Sequence, residues 1–175
     1  MHGKHWLVTW TTYASWLPGD PRGFQTRHSR EYVPPPARYA KPGEPVYEAE
    51  QYARRHEQSR ALAGPAVRLS RSECRIVLES MVARINEIPI QPRVIAVGCW
   101  HVHLIAQFGP NWIKPIIKQV KEAGTKSLSR FDADRRLWAG GAHIKSLPDD
   151  EALRNAIAYV TKHGLEGAAV YRWPE

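Results

Sequence analysis

The stretch Arg93–Phe108 reads RVIAVGCWHVHLIAQF. Its β-branched and aromatic residues predict two successive extended runs, Arg93–Trp100 and His101–Phe108, and Gly109-Pro110 stops the second. Upstream, Ser70-Arg71-Ser72-Glu73 has the spacing of a capping box. Cys74, Val77, Leu78, Met81, Ile85 and Ile88 then recur at helical intervals, so a helix precedes the pair, and Pro89 and Pro92 end it. Further back, Lys4–Thr12 (KHWLVTWTT) reads as a strand. Downstream, Ile113, Ile116, Ile117 and Val120 mark another helix, in which Pro115 is tolerated only in the first turn. Ala142–Leu147 fits a short strand, and Pro148-Asp149-Asp150-Glu151 opens a last helix with acids at its positive end. The order is β, α, β, β, α, β, α. Its first six elements match a ferredoxin-like split βαβ core, an α+β fold with an antiparallel sheet and helices on one face; the seventh is an added C-terminal helix.

At 175 residues the chain has the size of one domain. Leu17-Pro18-Gly19-Asp20-Pro21-Arg22-Gly23 is turn-rich, and from Arg27 to about Pro65 the composition is polar, with Pro34-Pro35-Pro36 and Lys41-Pro42-Gly43-Glu44-Pro45. This predicts a single domain carrying a Pro-rich insertion at about residues 18–66, with Glu48–Leu62 as one polar helix inside it. The net charge of +8 suits a polyanionic partner or, equally, a solvated basic surface. No apolar run approaches the length that spans a bilayer, and Met1-His2-Gly3-Lys4 does not lead into a signal peptide, so no membrane role is expected. The two cysteines, Cys74 and Cys99, form no CxxC pair, which makes a reduced, cytoplasmic setting the default.

The chemistry begins at His101 and His103. One residue apart on a strand, both imidazoles project from the same face while Val102 enters the other. Two neutral imidazoles on one face are half of a divalent-metal site, or two surface histidines placed by chance. In the last helix Leu153, Ala156, Ile157 and Val160 form the buried stripe, and Tyr159 and His163 share one flank of it. If that helix lies on the sheet face bearing His101 and His103, three imidazoles and one phenol converge, with His163 as third ligand and Tyr159 as nucleophile. Taken alone, Tyr159 is an ordinary amphipathic tyrosine and His163 a helix C-terminal residue before Gly164.

Together, His101-Val102-His103 and the later Ala156-Ile157-Ala158-Tyr159-Val160 resemble the HUH single-tyrosine transposases, among them the REP-associated tyrosine transposases and the insertion-sequence transposases that move as single strands. Thr11-Thr12-Tyr13 and Trp16-Leu17-Pro18-Gly19-Asp20-Pro21-Arg22-Gly23 resemble their bacterial members, and the likeness runs from Trp6 to the C-terminus. The resemblance implies the ferredoxin-like core, a bacterial, nucleoid-associated protein, and cleavage and rejoining of single-stranded DNA, with hairpin-forming ends or repeats as targets. It implies attack by Tyr159 on a phosphodiester, giving a 5′-phosphotyrosine and a free 3′-hydroxyl. A phenol is protonated at neutral pH and needs help, which a metal supplies by offsetting charge on the phosphate. The resemblance makes that metal Mg²⁺ or Mn²⁺, held by His101 and His103. The family's third ligand is often Gln or Asn one turn after the tyrosine; His163 stands there instead, and an imidazole shifts preference toward Mn²⁺ or another transition metal. A homodimer that exchanges the last helix is also known in the family.

For DNA contact, Lys114, Lys118 and Lys121 share a helix face opposite the apolar stripe, either a track for phosphates or a solvated lysine face. Arg22 adds charge, as do Arg27, Arg30, Arg54, Arg55, Arg135 and Arg136. Trp6 and Trp10 are expected in the core, and Trp16, Trp112 or Trp138 against unpaired bases. Two other readings stay open: a catalytically silent, domesticated protein that binds single strands or hairpins, and a nuclease like those that initiate rolling-circle replication.

Overall fold

The helix expected at Ser70 starts as its spacing dictates. Ser70 Oγ accepts from the Glu73 backbone N–H at 3.2 Å, while the Glu73 carboxylate accepts from the Ser70 N–H at 2.7 Å. In the computed structural model, which describes residues 4–25, 32–33, 49–109, 113–129 and 135–174, the elements run in this order. They are β1 (His5–Thr11), β2 (Phe24–Gln25), β3 (Tyr32–Val33), α1 (Ala49–Ala63), α2 (Arg71–Asn86), β4 (Gln91–Val97) and β5 (His101–Gln107), then α3 (Ile113–Leu128), β6 (His143–Leu147), α4 (Asp150–Lys162) and β7 (Ala169–Arg172). The chain divides into two compact units, Met1–Thr12 with Arg68–Glu175, and Tyr13–Val67.

The first unit is built on a five-stranded sheet in the order β6-β1-β5-β4-β7, antiparallel throughout. Four of these strands with α2 and α3 reproduce the split βαβ order of a ferredoxin-like α+β core. The fifth, β7, was not expected; four residues after a glycine are too short to show a period of two. The β4–β5 connection also differs from expectation. Strand pairing stops at Val97, and Gly98, Cys99 and Trp100 form a tight turn in which the Gly98 N–H donates to the His101 carbonyl at 2.9 Å. Gly98 permits this approach, since a Cβ there would sit 3.3 Å from that carbonyl oxygen. Trp100 therefore leaves the strand and stands 37% exposed. Pro92 does not end α2 but is the second residue of β4, where β7 does not reach, and the ladder shifts register between Pro92 and Val94.

Strand alternation sorts the two faces. Val8 and Trp10 of β1 and Val102, Leu104 and Ala106 of β5 point to one side and are buried. That side carries α2 and α3: Lys121 of α3 lies over the Trp10 ring, and Met81 and Val77 of α2 crowd Gly124 of α3. On the other side α4 packs Leu153, Ala156 and Val160 against Val94, Ala96, Ile105 and Leu147, with Ile157 half-buried beside them. Each of Leu153 and Val160 contributes roughly 1.5–3 kcal/mol by leaving water, before the entropy of ordering is counted. Asp149 caps α4 through a 2.7 Å bond from the Ala152 N–H.

In the second unit the turn Leu17–Gly23 packs on α1. Gly19, at φ 87°, lies so close that a Cβ would meet the His56 nitrogen and Tyr52 carbonyl at 2.6 Å. Phe24 meets Tyr52 edge to face at 5.1 Å, and β2 pairs with β3. No described helix is long and apolar enough to cross a membrane.

Candidate functional site

His101 and His103 sit on the α4 side of β5, in register with Thr11 and Thr9 of β1. Their ring centroids are 4.7 Å apart. α4 then brings His163 over both: 5.0 Å from His101 and 4.8 Å from His103, stacked on the latter at an interplanar angle of 16°. One ligand atom from each of the three lies within 4.8 Å of the other two. Tyr159, four residues before His163, is 4.9 Å from the His163 ring and 5.4 Å from the His103 ring, and is 50% exposed. The i, i+4 relation on one flank of α4 sets this, since the stripe Leu153–Ala156–Val160 fixes the rotation of the helix.

The hydrogen bonds orient the imidazoles. Thr9 Oγ1 bonds His103 Nδ1 at 2.8 Å. His163 Nδ1 donates to the Glu166 carboxylate, also at 2.8 Å. With both Nδ1 atoms engaged, the Nε2 atoms of His103 and His163 are left to ligate. His163 Nε2 is buried and finds no hydrogen-bond partner among the described residues, the state expected of a nitrogen reserved for an ion. Burial, then the neighbouring His101 and His163, push the His103 pKa down to about 3. His101 is lowered too, by burial and His163, against a raising pull from Glu166. Neutral imidazoles are what a divalent cation requires. The donor set therefore fits a metal ion held by three nitrogens.

Glu166 and Thr9 carry no sequence signal of their own. His163 caps the C-terminal end of α4, as its place before Gly164 suggests; a 3-10 turn then follows over His163–Glu166, and Gly167 closes it at φ 91°. That extra turn folds the Glu166 carboxylate back to His163.

Lys114 and Lys118 are exposed, Lys118 within 3.9 Å of Glu122, but α3 lies across the sheet from the histidines. Lys121 does not share their solvated face: its ammonium donates to the Ala139 and Gly141 carbonyls over the Trp10 ring, and burial lowers its pKa to about 8. Arg22, in the second unit, holds Asp20 in a two-pronged contact at 2.8 and 2.7 Å and lies over Trp16, which is 46% exposed. Trp138 is not a stacking surface. It is 8% exposed, edge-on to Trp10, and its Nε1 donates to the Lys121 carbonyl. Trp112, Arg27 and Arg30 lie outside the described residues. Among the described tryptophans it is Trp100 that stands near the histidines, 6.2 Å from the His101 ring. Its exposure follows from the Gly98 turn, which the strand-like composition of Arg93–Trp100 conceals.

No family model matches the chain, and no curated protein matches it. Among solved structures it is similar to a REP-associated tyrosine transposase determined bound to a REP hairpin, with a TM-score of 0.50 and 10% identity, over 95% of this chain and 69% of that one. At that identity the likeness is one of fold: this chain shares the architecture on which a hairpin-bound tyrosine transposase is built.

Proposed function

We propose that this chain cleaves and rejoins single-stranded DNA through a covalent tyrosine–DNA intermediate, with Tyr159 as nucleophile and His101, His103 and His163 as ligands of a divalent metal. The observation that carries the reading is the convergence of Tyr159 with all three histidines on one face of β5. The fold shared with a hairpin-bound tyrosine transposase supports it, and hairpin-forming ends or repeats are the DNA class it points to.

Tyr159 Oη attacks the phosphorus of a phosphodiester and gives up its proton to solvent, to which its half-exposed side chain has access. The phosphorus–3′-oxygen bond breaks, the 3′-oxygen leaves with the electron pair and takes up a proton, and the 5′-phosphate stays esterified to the tyrosine. A second DNA 3′-hydroxyl can reverse these steps on a new strand without ATP. When bound, the metal offsets the charge that develops on the phosphate. Thr9 and Glu166 hold the His103 and His163 rings by Nδ1, which leaves Nε2 of each as the atom that would ligate a bound ion. Three nitrogen donors favour Mn²⁺ over Mg²⁺, which prefers oxygen. The helix that carries Tyr159 packs its own apolar stripe on the sheet face bearing His101 and His103, so the reading is assembly in cis, whether or not the protein forms a homodimer.

The test is incubation with single-stranded oligonucleotides from flanking genomic DNA, with Mn²⁺ or Mg²⁺, read as a covalent protein–DNA band on a denaturing gel. The band is expected to disappear in Tyr159→Phe, a loss of roughly 10³-fold or more, and to fall sharply in His101→Ala and His103→Ala. A mixture of Tyr159→Phe and His103→Ala proteins is expected to stay inactive. Cleavage unchanged in Tyr159→Phe overturns the proposal.

A further inference from the structure

Beside the histidines lies a cavity of about 340 Å³, walled by Arg68, Arg71, Trp100 and Gly167, that shares His101 and His163 with the triad. Its size is at the lower end of the roughly 300–1,000 Å³ range of small-ligand sites, a volume on the scale of one nucleotide and far below that of a duplex segment. We propose that this cavity seats an unpaired nucleotide of the DNA strand next to the attacked phosphodiester, its base against Trp100 and Arg68 and its phosphate at Arg71. The proposal rests on the reading of the triad given above and names the part of the substrate that reading leaves unplaced.

The walls supply both halves of a nucleotide's chemistry. The Arg68 guanidinium carbon stands 5.7 Å from the Trp100 ring centroid, and Arg68 also donates to Cys99 Sγ at 3.7 Å, so cation and indole form one aromatic-cationic surface. Trp100 is held there because its carbonyl accepts from the Thr12 N–H at 2.9 Å and the Cys99 carbonyl accepts from the Leu69 N–H at 2.8 Å. Every base has a π face, so such a surface accepts any base whose own faces are not already stacked, which selects single strands.

The charge on the walls is available. Arg68, Arg71 and Arg75 are exposed and form no ion pair with a described residue, whereas Arg135 is bound to Glu73 and Arg84 to Glu87 at 2.6 Å. Arg71 and Arg75, four apart on the first turns of α2, face the backbone of the turn after α4: a second cavity is lined by both together with Gly164, Gly167 and Ala168. Gly167 keeps that path open, for a Cβ there would lie 3.4 Å from Arg71 Nε. The acid on this wall, Glu166, is hydrogen-bonded to His163 Nδ1. The three arginines thus lead from the triad outward as a run of phosphate contacts, a role for which Lys114, Lys118 and Lys121 of α3 were one candidate in the sequence.

The test uses the Tyr159→Phe chain with Mn²⁺, so that binding is read without cleavage, and a fluorescein-labelled mixed-sequence oligonucleotide as a single strand or annealed to its complement. Trp100→Ala and Arg71→Ala are each expected to weaken single-strand binding about tenfold, and Trp100→Phe to retain most of it. Duplex binding is expected to be unmoved by Trp100→Ala. Where Trp100→Ala lowers the unfolding midpoint, the exposed helix-surface change Arg71→Glu carries the test. Single-strand affinity unchanged in Arg71→Glu and in Trp100→Ala, or an equal loss for duplex, overturns the pocket. A covalent band from the unmodified chain together with unchanged affinities sinks the pocket alone. Trp100-dependent single-strand binding with no covalent band sinks the tyrosine reading and leaves the pocket standing.

Discussion

The two faces of β5 are the same seven residues put to opposite uses. Val102, Leu104 and Ala106 are wholly buried on the side of α2 and α3. His101, His103 and Ile105 point to α4, and only Ile105 joins the apolar cluster there; toward the β4–β5 turn that cluster gives way to imidazoles. One face is closed by packing and the other is left chemically open. A strand's alternation lets a single segment hold the fold with its even residues and present ligands with its odd ones.

The sharpest way to break that comparison is to exchange the consequences of mutating each face. Leu104→Ala is expected to destabilise by about 2–5 kcal/mol, measured as a lowered denaturation midpoint, because it empties a fully buried site. His101→Ala is expected to leave the midpoint of the metal-free protein nearly unchanged while weakening Mn²⁺ binding by about 100-fold in calorimetry. If His101→Ala costs as much stability as Leu104→Ala, the imidazole face is structural. A finer cut separates ligands from the groups that orient them: Glu166→Gln is expected to lower Mn²⁺ affinity about tenfold with no change in fold, through the His163 ring it holds.

The smallest expected effect is one of pH. His103 is held neutral, with its pKa at about 3 against an ordinary 6.5, and His101 is shifted the same way. Between these values the unfolded chain takes up a proton that the folded chain refuses, so stability falls as pH drops from about 6.5 toward 3 and is unaffected by these groups above that window. The unfolding midpoint of chelator-treated protein is expected to drop by a few degrees more between pH 7 and pH 5 than that of His103→Asn.

Much of this was legible before any coordinate. The capping box at Ser70, the stripe of α2 and the apolar positions of α4 each follow a period that only one secondary structure satisfies. His101 and His103 were visible as a period of two, and Tyr159 and His163 as one flank of a helix, because those relations are local. What stayed hidden is relational at longer range or depends on a few residues of irregular backbone. Glu166 reaches His163 only through a 3-10 turn, and Thr9 reaches His103 only across the β1–β5 register. Trp100 read as a strand residue until Gly98 turned the chain, and Trp138 read as a surface aromatic until Trp10 covered it. Lys121 kept its helical phase but not its solvation, since a long stem lets the ammonium bend to nearby carbonyls.

The short strand β7 gives α4 a second anchor. The helix is tied at its start through β6, which pairs with β1, and at its end through β7, which pairs with β4 from Val94 to Val97. Tyr159 therefore rides on a girder fixed at both ends and not on a swinging arm. On the proposed reaction the protein acts as a fixed anvil: once a strand is joined to the tyrosine, the traffic between cleavage and rejoining falls to the DNA, whose free 3′ ends must come and go while the helix stays where the sheet has moored it.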